Sequence, residues 1–271
     1  MKRIGLSIGL LLVIALPGAA QSKIFEHTVS LRPGGQLRLD VDKGSVRLMG
    51  WDRDQVEIRA RIEAERSWDS TYAGRVVDAT TVDVVSSAGL VSIRGNYDKV
   101  PTDGIFGNHV TPNIHYEIRA PRRVDLQLDI DRANSIITGF EGRIDLEADR
   151  SVIETVDVNG PIRVSIDRGG DSSFRNVRGS VNVDADRTNL RIDMARLDDS
   201  SRIVIDRGNI DMSLARGQGL DLDTSLSRRA SFDSSLPLQM RNFRNNNPSG
   251  TMNGGGPRLA IQADRSRIRL R

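Results

Sequence analysis

The stretch Leu126-Gln127-Leu128-Asp129-Ile130-Asp131-Arg132 decides how this chain folds. Its apolar residues alternate with polar ones, which is the period-2 pattern of a strand with one buried face. The stretch then ends in an Asp-Arg pair. Because the same alternation and the same pair recur along the chain, we interpret it as one copy of a structural repeat.

The Asp-Arg pairs recur at a nearly constant spacing. Their aspartates stand at positions 131, 149, 167, 186 and 206, which gives steps of 18, 18, 19 and 20 residues. A further pair, Asp264-Arg265, follows after an interruption. A degenerate copy at 222–228 has Ser227 in place of the aspartate, and an early copy at 37–43 has Lys43 in place of the arginine. This regularity predicts coils of about 18–21 residues.

A second apolar stretch follows each Asp-Arg pair, and several of these stretches end at a glycine: Gly142, Gly160, Gly179 and Gly217. Glycine permits the positive φ that sharp turns between strands need. A unit of strand, Asp-Arg corner, strand and glycine corner can bury its apolar face only against its neighbours. We therefore predict an all-β fold, a single-chain β-solenoid of the parallel β-helix type. An antiparallel sandwich is the alternative, because it also explains the alternation.

The first twenty residues differ from the rest of the chain. Lys2 and Arg3 precede an apolar run, and Pro17-Gly18-Ala19-Ala20 supplies the small residues of a cleavage site. We predict a signal peptide over residues 1–20, with a retained anchor as the alternative. Export to the periplasm, the cell surface or the medium follows from it. No later apolar run is long enough to span a membrane, and without cysteine the fold depends on packing and hydrogen bonds.

Residues 21–121 are less regular than residues 122–271, which carry most of the repeats. We expect the first part to be β-rich, with a first coil over 37–49 and one short helix over 67–79. The stretch 103–113 is rich in Gly, Pro and Asn and predicts a loop. The stretch 242–256 has the same character and predicts a mobile loop excursion from the last coils.

Charge argues against nucleic acid as a partner. The 39 basic and 36 acidic residues are interspersed, and the formal net charge is only +3. A nucleic-acid-binding protein would concentrate basic residues on one surface.

The Asp-Arg pairs are the candidate site. Stacked strands lie about 4.8 Å apart, so the aspartates should form one column whose repulsion the arginines relieve by bridging successive carboxylates. The predicted ladder consists of Asp131, Arg132, Asp149, Arg150, Asp167, Arg168, Asp186, Arg187, Asp206, Arg207, Asp264 and Arg265. We interpret it as structural, because an arginine beside every carboxylate disfavours calcium. A polysaccharide lyase or hydrolase, the catalytic alternative, needs unlike carboxylates in a defined cleft, whereas these corners are identical.

The sequence contains no recognisable catalytic, cofactor or metal motif. The three histidines, His27, His109 and His115, lack the spacing of metal ligands, and no serine stands in a nucleophile-elbow pattern. We expect the large aromatic residues to pack at the N-terminal end of the stack, with a sugar-stacking platform as the alternative; they are Trp51, Trp68, Tyr72 and Tyr116.

Three passages carry a family resemblance: Gly44-Ser45-Val46-Arg47-Leu48-Met49-Gly50-Trp51-Asp52 with the strand at Val56, His115-Tyr116-Glu117-Ile118-Arg119-Ala120-Pro121, and Gly254-Gly255-Gly256-Pro257 before the last coil. They resemble the "putative adhesin" family of bacterial β-strand-repeat domains of unknown function. The Asp-Arg corner departs from the Ser/Asn-Gly-Asp-like turn that is usual in that family. The resemblance implies an exported, envelope-associated β-helical module with an adhesive or scaffolding role.

These observations predict an exported, non-enzymatic binding or adhesion module of the cell envelope, with a glycan or a protein as its ligand and no cofactor. The alternative is a structural scaffold that self-associates through uncapped terminal coils. We expect the charged last strand, residues 265–271, to block such association.

Overall fold

The computed structural model describes residues 22–64, 70–101, 112–242 and 247–271. The predicted signal peptide, Trp68, His109 and most of the predicted loop at 103–113 lie outside the described residues.

The described residues form 21 strands and one helix, so the fold is all-β as predicted. In chain order the elements are β1 (Ser22–Ser30), β2 (Gln36–Val41), β3 (Gly44–Trp51), β4 (Gln55–Glu63), α1 (Ser70–Ala79), β5 (Thr81–Ser87), β6 (Leu90–Asn96), β7 (Asn113–Pro121), β8 (Asp125–Asp131), β9 (Ala133–Phe140), β10 (Ile144–Asp149), β11 (Ile153–Asn159), β12 (Ile162–Gly179), β13 (Val181–Leu197), β14 (Ser201–Asp206), β15 (Asn209–Leu214), β16 (Leu220–Leu226), β17 (Ser231–Ser234), β18 (Gln239–Asn242), β19 (Ser249–Met252), β20 (Arg258–Asp264) and β21 (Arg267–Leu270).

All strands belong to one large mixed sheet, in which hydrogen-bonded neighbours follow one another in two series. The copies of the repeat pair in parallel and in phase: Leu126 lies opposite Ile144, and Ile144 opposite Ile162. We call this series the first ladder. Its order in space is β5, β6, β2, β8, β10, β12, β13, β14, β20, β16, β19 and β18.

The second ladder contains the strands that follow the Asp-Arg corners. Its order in space is β1, β4, β7, β3, β9, β11, β12, β13, β15, β21 and β17. The long strands β12 and β13 take part in both ladders, because each continues through its Asp-Arg corner. Among the described strands, the antiparallel pairs occur only towards the two ends of the ladders: β1–β4, β4–β7, β5–β6, β16–β19 and β18–β19.

The inward residues of both ladders form an aliphatic core. Leu126, Leu128 and Ile130 of β8 are at most 1% exposed, and the equivalent residues of neighbouring strands are buried in the same way. Full burial of a side chain of this size contributes about 1.5–3 kcal/mol. The two ladders are therefore held together by hydrophobic burial along their whole length.

Each Asp-Arg corner turns on an arginine in the left-handed region of backbone space. The six φ angles lie between 48° and 59°, at Arg132, Arg150, Arg168, Arg187, Arg207 and Arg265. This conformation costs an L-residue about 1–2 kcal/mol. Among the glycine corners, for which positive φ is predicted, Gly160, Gly179 and Gly217 have it, whereas Gly142 does not.

A hydroxyl group supports every second corner. At three corners the residue after the arginine is small, and its backbone amide donates a hydrogen bond. At the neighbouring corners the residue in that position is a serine or threonine, whose hydroxyl oxygen accepts the bond. The pairs are Ala133 to Ser151 at 3.0 Å, Gly169 to Thr188 at 3.0 Å and Gly208 to Ser266 at 3.2 Å. These bonds satisfy backbone amides that the corner removes from the strand pairing.

The last strand does not end the stack, contrary to our expectation that it blocks a terminal coil. β21 pairs with β15 on one side and β17 on the other, and β20 lies between β14 and β16. The last copy carries a complete Asp-Arg pair, and Arg265 contacts Asp206 at 2.7 Å. It therefore continues the charged column directly, and the copy with Ser227 is placed beyond it.

The described part of 242–256 is not a projecting loop, which corrects that prediction. Residues 249–252 form β19, which pairs antiparallel with the outer edge of β16 and with β18. A turn follows, in which Gly255 donates its amide to the Met252 carbonyl at 3.1 Å. An edge strand exposes unpaired backbone groups, and β19 supplies partners for those of β16.

Candidate functional site

The structure places all six predicted Asp-Arg pairs side by side. Strand register sets each aspartate opposite the next in the order Asp131, Asp149, Asp167, Asp186, Asp206 and Asp264. Because one face of every strand is buried, this phase cannot slip by one residue without exposing the core.

Arginines join these carboxylates into a continuous chain. Arg150 is 2.9 Å from Asp149 of its own corner and 3.1 Å from Asp131 of the neighbouring corner. The same two contacts recur at Arg168, Arg187, Arg207 and Arg265. Arg132 contacts Asp131 at 2.8 Å. Single exposed pairs contribute little to stability, but a connected network of this kind contributes more.

The bridging contacts favour the ionised forms. A hydrogen bond from Arg168 is the main cause that holds the pKa of Asp149 below its usual value. The hydrogen bond of Ser227 is the main cause that lowers the pKa of Asp264, at the corner next to the degenerate copy. The negative charges of the aspartate column are therefore already compensated by neighbouring groups of the same protein.

A groove of about 590 Å³ lies beside this column on the first ladder. We call it the acidic groove, because four carboxylates and two arginines line it: Asp129, Asp145, Glu147, Asp184, Arg163 and Arg202. None of the four carboxylates forms an ion pair with a described residue. Asp145 Oδ1 is buried and has no hydrogen-bond partner within the described parts of the chain.

The unpaired carboxylates of the acidic groove repel one another. Asp40, Asp129 and Glu147 are consecutive neighbours in the register of β2, β8 and β10. Burial, followed by the charges of Asp42 and Asp129, raises the pKa of Asp40. Like charges directly opposite on neighbouring strands are destabilising, so this part of the surface reduces the stability of the fold.

A hydrogen-bonded relay on the second ladder was not predicted. Ser45 Oγ lies 2.8 Å from His115 Nδ1, and His115 Nε2 lies 2.9 Å from Glu63 Oε1. In the sequence, His115 is notable only for lacking the spacing of a metal ligand. The three residues come together because β3 pairs with β7 and β7 with β4, and no local spacing in the sequence reveals that order.

The aromatic residues mostly serve packing. Tyr116 is 1% exposed and Tyr72 is 6% exposed, and the Tyr72 hydroxyl donates to the Pro101 carbonyl at 2.9 Å. Burial raises the pKa of the Tyr116 hydroxyl. Trp51 is partly buried, donates to the Gln55 carbonyl and carries Arg53 over its ring. These contacts occupy the rings that a sugar-stacking platform would need.

Within the described ranges, no helix is long and apolar enough to cross a membrane. The same residues contain no group of three or more histidines, aspartates or glutamates placed to hold a metal ion.

Comparisons with known proteins give only distant likenesses. No family model matches the chain, and no curated protein matches it. Among solved structures, a "putative adhesin" from Bacteroides fragilis has a TM-score of 0.47 at 8% identity, over 93% of this chain and 99% of that chain. A similarly described protein from Parabacteroides merdae has a TM-score of 0.39 at 7% identity, over 92% and 96%. A "putative cell adhesion protein" from Clostridium sporogenes has a TM-score of 0.36 at 11% identity, over 92% and 99%.

Proposed function

We propose that this chain is an exported, non-enzymatic β-solenoid of the cell envelope, and that it acts as a binding or adhesion module through the acidic groove. The parallel register of the repeats, with an Asp-Arg corner in each step and a glycine corner in several of them, supports the solenoid form. The signal-peptide pattern of residues 1–20 supports export.

The observation that carries the binding function is a contrast within single strands. Glu147 and Asp149 are two residues apart on β10 and point to the same outward side. Asp149 contacts two arginines, whereas Glu147 has no ion-pair partner in the described structure. Asp129 and Asp131 of β8 repeat the contrast. The chain thus neutralises the carboxylates that stabilise the fold and leaves the adjacent ones available to a ligand.

A glycan suits this groove in size and chemistry. A volume of about 590 Å³ falls in the range of about 300–1,000 Å³ that is typical of small-ligand sites. The carboxylates accept hydrogen bonds from sugar hydroxyls, while Arg163 and Asn182 on neighbouring strands donate them. Strands in a paired ladder present these groups rigidly, which reduces the entropy lost on binding.

The placement of the carboxylates supports a role without catalysis. A glycoside hydrolase needs two carboxyl groups with different protonation states on opposite sides of a bond. The four carboxylates of the acidic groove instead lie on one outward side of the sheet: Asp129 and Glu147 are adjacent in the register, and Ser165 separates Glu147 from Asp184.

The test is a glycan-array and peptidoglycan binding screen with residues 21–271. A double variant, Asp129→Asn with Glu147→Gln, should weaken a saturable hit at least about tenfold, because hydrogen bonds to charged groups are lost. The same variant should melt at an equal or higher temperature, since like-charge repulsion is removed. Asp233→Asn, an exposed carboxylate on β17, is the matched control. A hit that survives the double variant contradicts this placement of the site, and the absence of any hit contradicts a glycan-binding module.

One observation supports a second function, a self-assembling scaffold. The outer edge of β1 is nine residues long, and no described strand pairs with it. Such an edge is a template for another chain. Light scattering over a range of concentrations separates the two functions: particles that grow with concentration support the scaffold, and a constant monomer size contradicts it.

A further inference from the structure

A second groove, of about 540 Å³, lies on the outward side of the second ladder near its N-terminal end. Five neighbouring strands form its floor: β1, β4, β7, β3 and β9. We call it the arginine groove, because Arg47, Arg59 and Arg61 line it together with a single acidic residue, Glu117. Its lining has the opposite charge balance from that of the acidic groove.

Two of these guanidinium groups are less tightly paired than the third. Arg47 forms neither an ion pair nor a side-chain hydrogen bond with any described residue. Arg59 reaches Glu26 only at 3.6 Å, whereas Arg61 is held by Glu63 at 2.5 Å. Each corner arginine from Arg150 onwards contacts two aspartates, whereas Arg47 contacts none of the described ones. The planar guanidinium fork is well matched to carboxylate and sulfate groups.

The relay fixes a polar pair beside these arginines. An ionised Glu63 only accepts hydrogen bonds, so the proton of a neutral His115 is on Nε2 and its Nδ1 accepts from the Ser45 hydroxyl. The Ser45 hydroxyl therefore donates to His115, and its oxygen can accept a hydrogen bond from a ligand. The charged groups that face His115 are Arg47 on β3, Arg61 and Glu63 on β4, and Glu117 on its own strand.

The groove also has apolar walls. Ile136 on β9 is 37% exposed, one of three large hydrophobic residues exposed in the described structure, and Ile24 on β1 lines the opposite side. The register separates these two residues by three strands, β3, β7 and β4. Ile136 lies directly opposite Arg47. It can therefore contact the C–H face of a sugar ring held by that guanidinium, which leaves the polar groups of the ring to the arginines.

We propose that the arginine groove binds an anionic sugar residue of an acidic glycan, with Arg47 and Arg59 on its carboxylate or sulfate group. His115 and Ser45 contact the hydroxyl groups of the ring. The site is separate from the acidic groove, on the other ladder, and its ligand class is one that the acidic groove would repel.

Titration calorimetry with residues 21–271 tests this site. The probes are a hyaluronan oligosaccharide, a sulfated heparin oligosaccharide and, as a neutral comparison, a chitin oligosaccharide. At least one acidic probe should bind saturably and the neutral probe should not. Arg47→Gln with Arg59→Gln should weaken binding about ten- to a hundredfold, the range expected for lost charged hydrogen bonds. Arg143→Gln is the matched control, because Arg143 is exposed and lines neither groove.

His115 provides a second readout. His115→Gln should weaken binding of the acidic probe and leave the melting temperature nearly unchanged. Equal weakening by Arg143→Gln, or failure of both acidic probes to bind, would overturn the proposal. Asp129→Asn with Glu147→Gln should leave this binding intact, so failure of the arginine groove is distinguishable from failure of the acidic groove.

Discussion

At the scale of single residues, the corner arginines have an unfavourable backbone conformation but form favourable ion pairs with aspartates. Each of the six adopts a φ of 48° to 59°, which disfavours any residue with a Cβ atom. Glycine would remove that penalty but would also remove the bridge between two carboxylates. The conformation of Arg168 is therefore stabilised by its contacts with Asp149 and Asp167 rather than by local backbone preference.

Substitution of Arg168 separates the two effects. Arg168→Ala loses the bridge and keeps the backbone penalty, whereas Arg168→Gly loses both. We expect both variants to melt lower than the natural protein at low salt, with the alanine variant lowest. High salt should reduce both deficits, because it screens the carboxylates, but should preserve the difference between alanine and glycine. Melting curves at two ionic strengths measure this, and deficits that salt does not change would rule out an ionic network.

The same contact predicts a dependence on acid. The pKa of Asp149 is lowered in the folded chain, mainly by Arg168. Its stabilisation is therefore complete above the unfolded value of about 3.9 and is lost as pH falls through the folded pKa. The difference in melting temperature between Arg168→Ala and the natural protein should shrink below about pH 4. A difference that persists in strong acid would assign it to packing of the arginine stem.

At Ser227, the repeat pattern suggests a substitution that we expect to destabilise the protein. Restoring the aspartate of the other copies, Ser227→Asp, places a carboxylate beside Asp264. Ser227 now lowers the pKa of that group by a hydrogen bond. Arg228 does not have the left-handed φ of the bridging arginines. We expect the variant to melt lower at neutral pH and to recover at high salt, while Ser227→Asn, which adds no charge, changes little. A higher melting temperature for Ser227→Asp would contradict this account.

At the scale of elements, the glycine corners set how closely strands approach. A Cβ atom at Gly160 would lie 2.2 Å from the Gly142 carbonyl oxygen, and Gly160 has a φ of 153°. At Gly217, with a φ of 80°, no atom lies within 4 Å of the same position. Gly160→Ala should therefore cost about 1–3 kcal/mol more than Gly217→Ala, since overpacking is added to backbone strain. Urea unfolding of both variants measures the difference, and equal losses would refute the role of close approach.

The local sequence pattern was sufficient to predict most of the strands, but not to predict which strands lie next to each other. Alternation predicted that Leu126, Leu128 and Ile130 are buried, because the strand period depends only on local geometry. The Asp-Arg spacing predicted the order of Asp131, Asp149, Asp167, Asp186 and Asp206, but not that Asp264 lies beside Asp206. The relay of Ser45, His115 and Glu63 was not predictable, since it depends on β7 lying between β3 and β4. The strand β19 was missed because its four residues carry no alternating apolar signal.

At the scale of the whole molecule, the order of the strands in space differs from their order in the chain. The strands β20 and β21 are last in sequence, yet they lie between β14 and β15 on one side and β16 and β17 on the other. The strands β16 and β17 therefore have no parallel partner until the last residues of the chain are in place. Apolar residues of β16, such as Leu220 and Leu222, are fully buried in the complete fold.

This order predicts the effect of a truncation. Removing residues 258–271 takes out β20 and β21, which lie inside the two ladders. The strands β16 to β19 should then lose their protection from hydrogen exchange, while the strands β8 to β13 keep theirs. The reason is that neighbouring repeats stabilise one another locally. Hydrogen exchange, measured by mass spectrometry on the truncated and the full chain, should show fast exchange over 220–242 and slow exchange over 126–194 in the truncated form. Leu259→Ala, which weakens the same coil in the full-length chain, should accelerate exchange in 220–226 more than in 126–131. If residues 220–242 remain protected after truncation, β20 and β21 lie at the end of the ladders, as their position in the sequence suggests. Their placement between the strands β14 and β15 and the strands β16 and β17 would then be wrong.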